Sequence, residues 1–388
     1  MKKTKLKELY KLKTYSNYIL LAVALIVFTV LELSGGLRRS HAHLMAVIGF
    51  SVILAVSLNL VVGFLGELSL GHAGFMCVGA YIGGLLAKQL TASMGNQTLA
   101  LIISMIAGGL AAALFGFIVG LPALRLKGDY LAIVTLAFGE IVRNLFKNLP
   151  WFGGAMGLST ESYGTKLFII AFIVAILMIA LMQNLIHSKH GRAITAIRDN
   201  EIAARAMGIN VTFYKLFVFV FAAFFAGIAG VIYSAYATPV LYSYFSFNYS
   251  IEILVMVVLG GMGSITGSIL AAALISVLNF VLQSNLSGDL AALKYLVYAL
   301  ILMFVVIFGN APALKPIRDK LNLHNLKVKI FALFRKKQDP DVVLSDSAGW
   351  DAIPTKIPMD SVLSTDVVPS ESSTLSPDPR KEDSTDEK

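Results

Sequence analysis

Apolar residues in this chain gather in long stretches instead of alternating with polar ones. Crossing the hydrocarbon of a bilayer takes a helix of about 20 mostly apolar residues. Stretches of that kind lie near 17–33, 43–64, 98–124, 167–186, 213–236 and 291–309. Three others depart from the simple pattern. Residues 73–90 are shorter and interrupted by glycine, and 130–146 carry Gly139, Glu140 and Arg143 inside an apolar frame. Residues 250–286 exceed one span and are broken at Gly260-Gly261-Met262-Gly263, which suggests two crossings, one of them short. The pattern predicts an all-α fold, a polytopic transmembrane helix bundle of about 8–10 spans with some helices broken at glycine. The first stretch is too long for a cleavable signal and lacks a small-residue cleavage site, which marks it as a retained helix.

Composition agrees with a membrane body. Hydrophobic residues make up 57% of the chain and charged residues 14%, whereas soluble domains carry about 25% charged residues. The charge is unevenly placed. Residues 1–337 hold 28 of the 32 Lys+Arg and 11 of the 23 Asp+Glu, a net of +17, while 338–388 carry a net of −8. The positive charge collects at the N-terminus, in the loop 187–212 and in 315–337. Lys and Arg near span ends mark the cytoplasmic side, so this is a topological signal and not a nucleic-acid footprint. Both termini are expected in the cytoplasm; Arg38 and Arg39 then fall on the outer side, against the rule. The chain divides into a basic N-terminus (1–16), a membrane domain (17–310), a basic juxtamembrane segment (311–337) and an acidic Ser/Pro-rich tail (338–388). The tail has too little apolar content to offset its ordering entropy and is expected to be disordered. Cys77 is the single cysteine, so no intrachain disulfide exists.

Catalytic patterns are missing from the sequence. No Gly-Lys dipeptide occurs, which excludes a Walker A phosphate loop, and no serine sits in a G-x-S-x-G elbow. His187 and His190 share a helix spacing at a membrane boundary, yet a basic patch explains them and no third metal ligand is evident. No catalytic residue, metal site or cofactor is expected.

The informative positions are the breaks. Residues 63–84 hold Gly63, Gly66, Gly71, Gly74, Gly79, Gly83 and Gly84, with Glu67, Ser69 and His72 among them. Glycine costs about 1 kcal/mol in a helix interior, so such density needs a reason. Close helix packing is one; a broken helix whose backbone lines a pathway is the other. The second break, 257–267, echoes the first, and paired breaks in two halves point to an internal repeat and a central site. Candidate pathway positions are Ser69, Gly71 and His72 in one break and Gly260, Gly261, Gly263 and Ser264 in the other. Glu140 and Arg143, three residues apart, share a helix face and can pair. Glu252 suits the N-terminus of the second broken segment.

The loop 187–212 is long and amphipathic: Ile194, Ile197, Ile202 and Met207 recur near helical spacing, and Gly208 is a stop signal. A short helix projecting from a membrane protein suits a groove in another protein. Its basic residues equally suit anionic lipid. The pattern leaves both open.

Within that loop Glu201, Ala203, Ala204 and Gly208, in E-x-A-A-x-x-x-G spacing, resemble the coupling loop of ATP-binding-cassette importer permeases. Four blocks narrow the resemblance: GELSLGHAGF (66–75), LRLKGDYLAIVTLAFGEIVRN (124–144), GRAITAIRDNEIAARAMGIN (191–210) and SIEILVMVVLGGMGSITGSILAA (250–272). They are similar to the branched-chain amino acid permease family, LivM-type subunit, over about residues 43–310. The resemblance implies a heterodimer with a second homologous permease subunit in the cell (inner) membrane. It also implies two cytoplasmic ATPase subunits and an extracytoplasmic binding protein that delivers Leu, Ile or Val. The segment from Arg198 to Gly208 would then sit in a groove of an ATPase subunit. Importers of urea or short-chain amides share these features, and an ion-coupled secondary transporter is the alternative of a different class. Such a transporter would need intramembrane carboxylates as a relay. The acidic tail has no counterpart in the family's pattern. Deleting 341–388 is therefore expected to leave vesicle uptake nearly unchanged; lost uptake at normal membrane levels would show that the tail matters.

Overall fold

The computed structural model describes residues 39–126 and 128–285, together with 299, 300 and 303. The long helices among them follow from the apolar stretches above, two shorter ones fall in the amphipathic loop 187–212, and no strand occurs among these residues. α1 (Arg39–Asn59) continues through a wider-turned stretch, Leu60–Leu65. α2 begins as His72–Val78, widens at Gly79–Gly83 and ends as Gly84–Met94. There follow α3 (Gln97–Ala123), α4 (Asp129–Asn148), α5 (Leu167–His187), α6 (Lys189–Asp199) and α7 (Glu201–Ala206). The last three are α8 (Val211–Tyr236), α9 (Phe247–Gly260) and α10 (Ile265–Asn285).

Six of these helices, α1, α2, α3, α5, α8 and α10, are long and apolar enough to cross a membrane. The polytopic all-α bundle is thus as the sequence predicts, with 250–286 split by a glycine turn into the short α9 and the longer α10. The stretches 17–33 and 291–309, Arg38, the basic segments 1–16 and 311–337, and the tail 338–388 lie outside the described residues.

Burial ranks the helices. The apolar window of α1 is 94% buried, against 33% for α3, so α1 is a central post and α3 a peripheral helix. Around α1 stand α5, α8, α9 and α10, while α8 also packs along α3 and across α2. The α2–α8 crossing depends on glycine. A Cβ on Gly79 would lie 2.1 Å from the carbonyl oxygen of Gly227, and one on Gly230 would lie 2.0 Å from that of Met76. Backbone touches backbone there, the small-residue packing that lets transmembrane helices approach.

The first break is an extended strap and not a kink. Gly66 turns the chain with φ +82°, a left-handed conformation that costs glycine little. Residues 66–71 then run back along α4, where Leu70 N–H donates to Thr135 Oγ1 at 3.0 Å. His72 Nε2 meets Ser57 Oγ at 2.8 Å, and Ala73 N–H donates to Ser250 Oγ at 3.1 Å. Ser57 precedes Leu65 by eight residues, about 12 Å at helical rise. Hence α2 and α9 both begin inside the bundle, well in from the end of α1.

The second break is stitched to α1 by one side chain. Asn59, fully buried, accepts from Gly263 N–H at 2.8 Å and donates to Ser264 O at 3.1 Å and Ser268 Oγ at 2.9 Å. Beside it, a Cβ on Gly63 would lie 2.2 Å from Gly263 N. Asn59→Leu keeps the volume and strands these groups without partners, at about 1–3 kcal/mol for each group left unsatisfied. A lowered thermal midpoint of the purified protein is expected, and a midpoint equal to wild type would contradict the stitch.

Candidate functional site at the break–loop junction

The loop between α5 and α8 folds as two helices with different partners. Ser188 caps α6, its Oγ accepting from His190 N–H at 3.1 Å and Gly191 N–H at 3.3 Å. Asn200 leaves the helical region (φ −158°, ψ 103°) and caps α7, its Oδ1 accepting from Ala203 N–H at 3.0 Å. The end of α7 is a Schellman closure: Ile209 N–H bonds Ala204 O at 3.1 Å and Gly208 N–H bonds Arg205 O at 3.0 Å. Gly208 holds φ +82°, which strains any residue with a Cβ.

This break at Asn200 divides the apolar pattern. Ile194 and Ile197 are buried against the bundle, whereas Ile202 and Met207 are 80% and 82% exposed. The four positions do not share one face, contrary to what their spacing suggests. α6 is the anchor and α7 the projection. Within α7, Ala204 is buried and Ala203 exposed, as is Gly208 just past its end.

Behind α7 lies a chain of charges. Lys215, on the first turns of α8, has a side chain only 5% exposed and bonds both the Glu67 carboxylate and Glu201 Oε2, the latter at 3.2 Å. Glu201 Oε1 in turn accepts from Arg205 at 2.9 Å. Glu67 belongs to the strap 66–71, Glu201 and Arg205 to α7. Arg198, at the end of α6, adds a second tie: its Nη1 donates to Gly63 O at 3.1 Å while Nε and Nη2 hold Asp199 Oδ1 at 3.0 and 2.9 Å. Its aliphatic stem lies against Gly66, where a Cβ would come within 2.7 Å of Cγ. A cavity of about 250 Å³ opens beside this junction, lined by Leu124, Arg125, Glu201, Arg205 and Lys215 among others.

Of the sequence-derived pathway positions, His72, Gly263 and Ser264 are brought against the central helix, at two levels. Gly263 and Ser264 sit beside Gly63 and Asn59 at the loop end of α1. Gly260 packs on Gly267 across the turn, and Gly261 has φ +88°. Ser69 and His72 are buried deeper, and Gly71 packs on the Thr135 carbonyl of α4. Ser69 Oγ has no hydrogen-bond partner. None of these residues lines the cavity at the junction.

The pair Glu140–Arg143 forms, at 2.6 Å. Glu140 also takes the capping role that the sequence suggests for Glu252: its Oε1 accepts from Phe247 N–H, the first of α9, at 3.1 Å. Glu252 lies a turn and a half further on and bonds Asn279 of α10 instead. His187 and His190 have separate partners, Gln183 O at 2.6 Å and Tyr214 Oη at 3.2 Å. Sequence reasoning missed Asn59 and Lys215. Both had a signal, a strongly polar residue inside or at the edge of an apolar stretch.

A bundle of spanning helices with two internal breaks and a capped projecting helix tied to one of them defines a membrane permease component. The family model for the branched-chain amino acid transport system permease component matches residues 41–306. The chain is 34% identical over 312 residues to the high-affinity branched-chain amino acid transport system permease protein LivM of Salmonella typhimurium, covering 72% of this chain and 71% of that one. It is 23% identical to the permease protein LivH of the same system in that organism, over 66% of this chain and 91% of that one. It is 27% identical to the ribose import permease protein RbsC of Escherichia coli, over 73% and 87%. This chain belongs to the branched-chain amino acid transport system permease family.

Proposed function

We propose that this chain is a membrane-spanning permease subunit of an ATP-binding-cassette importer that carries Leu, Ile or Val into the cell. The observation that supports this most is α7. A six-residue helix, capped at both ends and tied at its back to a buried lysine, holds Ile202 and, at its end, Met207 away from its own protein. Burying such side chains yields about 1.5–3 kcal/mol each, a gain that a partner's groove would supply. In this reading the loop 187–212 faces the cytoplasm and the partner is an ATPase subunit, one of two. ATP hydrolysis takes place there, in keeping with the lack of a phosphate loop in this sequence.

The rest of the assembly follows from the same reading. A second, homologous permease completes the membrane pair, as LivM and LivH are two permease proteins of one system. An extracytoplasmic binding protein delivers the amino acid. Closure of the ATPases pushes α7; α6 and the Glu201–Lys215–Glu67 chain pass the movement to the strap 66–71 and so to the start of α2. The breaks at Ser69–His72 and Gly260–Ser264 flank the pathway that alternates between the two sides.

Aspartate at both Ile202 and Met207 keeps the caps and the internal ties while placing charge on the docking face. The variant is expected to insert normally, bind its ATPase partners weakly and lose uptake by about ten-fold or more. Normal uptake with normal ATPase association would contradict the docking role.

A further inference from the structure

Two outward faces of the bundle differ in kind. The outer face of α3 presents Leu99, Ile103, Ile106, Leu110, Leu114 and Phe117, all exposed and all apolar, which suits lipid. The face made by α4 and the start of α9 is mixed, with charged and amide side chains set among the exposed Ile133, Ile141 and Leu145. Glu140 and Arg143 are about a quarter exposed there, 26% and 25%, and Asn144 and Asn248 beside them are exposed. Glu140 lies eleven residues into α4, about 16 Å along the helix from Asp129. Ionisable groups on the outer face of a membrane bundle suit a protein partner or a watery path better than lipid.

The pair is also incompletely used. Arg143 gives Nη2 to Glu140, but its Nε, buried, has no hydrogen-bond partner. Nε and Nη2 together form the edge of a guanidinium that grips a carboxylate with two parallel bonds. Only half of that edge is engaged. At the same point α9 starts inside the bundle, with its first N–H directed at Glu140 Oε1; the positive end of a broken helix favours a negative group.

We propose that Glu140, Arg143 and the Phe247 N–H form the binding site for the charged end of an α-amino acid in transit. The substrate carboxylate takes the Nε–Nη2 edge of Arg143 and the Phe247 N–H, and its ammonium takes the Glu140 carboxylate. The exchange is balanced: one ion pair opens, two form, and no charge is left unpaired in a setting where that would cost several kcal/mol. Exposed Phe247 and Ile251, one turn apart on α9, give an aliphatic side chain an apolar wall. The empty site is closed on itself by Glu140, so it is stable between substrates. The proposal rests on the amino-acid importer reading above and adds the residues that recognise the cargo within the membrane.

The test uses vesicles holding the full transporter with its binding protein. Uptake of leucine is compared with that of 2-hydroxy-4-methylpentanoate, which keeps the carboxylate and lacks the ammonium. Glu140→Gln retains an oxygen to accept from Phe247 N–H but cannot pair with an ammonium. It is expected to reduce the preference for leucine over the hydroxy acid by about five-fold or more, and Arg143→Gln to lower uptake of both by about ten-fold. The binding protein is the same throughout, so a change in the ratio belongs to the membrane site, and a merely structural role would not move it. Wild-type uptake of leucine with an unchanged ratio in Glu140→Gln overturns the site alone. Wild-type vesicles that take up no branched-chain amino acid overturn the importer reading and the site with it. If Arg143→Gln fails to assemble, the ratio in Glu140→Gln decides.

Discussion

A lysine enclosed by protein needs a negative partner, and how that need is met here organises one end of the molecule. Lys215 lies between Glu67 and Glu201, with its own side chain 5% exposed and theirs 12% and 21%. Removing one partner of such a pair typically costs about 3–5 kcal/mol, because the remaining charge stays buried. The three residues come from α8, the strap 66–71 and α7, so neither the strap nor the loop can move far alone. Arg198 reinforces the link through Gly63 O. A rigid connection between a projecting helix and a broken span is what a device for passing on movement requires.

The other half of that device is the post it works against. α1 is almost wholly buried, and both breaks lean on it, one through Ser57 and His72, the other through Asn59 and Gly263. Glycine contacts between α2 and α8 leave no slack between backbones, and close-packed interiors transmit displacement instead of absorbing it. A shift of α7 is therefore carried toward the starts of α2 and α9, which both lie inside the bundle. The proposed amino-acid site stands at the start of α9, beside these moving parts. The proposed cargo site and the charge bridge then stand on neighbouring elements without sharing residues.

Much of this architecture was legible in the sequence, and the gaps have physical causes. Apolar length gave the spans that are described, and glycine density gave both breaks. The cap residues Asn200 and Gly208 surround α7, yet periodicity joined α6 and α7 into one helix. A single non-helical residue resets the phase while leaving the spacing nearly intact, so Ile197 and Ile202 look like neighbours on one face and point to different partners. Glu252 was the natural cap for α9 by sequence proximity; a residue over one hundred positions earlier in the chain, Glu140, does it instead. Lys215 and Asn59, polar residues in apolar surroundings, were missed although the sequence carried that signal. Their partners could not be named, because Glu67 and Lys215 are separated by 148 positions and meet only through the helix packing.

The central claim is that strap and loop act as one unit through the Glu67–Lys215–Glu201 bridge. A double-mutant cycle over Glu67→Gln and Lys215→Met, read as amino acid taken up per ATP hydrolysed in the assembled transporter, tests it most directly. Residues of one bridge act together, so the double variant is expected to lose no more coupling than the worse single variant. Losses that multiply, as for two independent sites, would contradict the account.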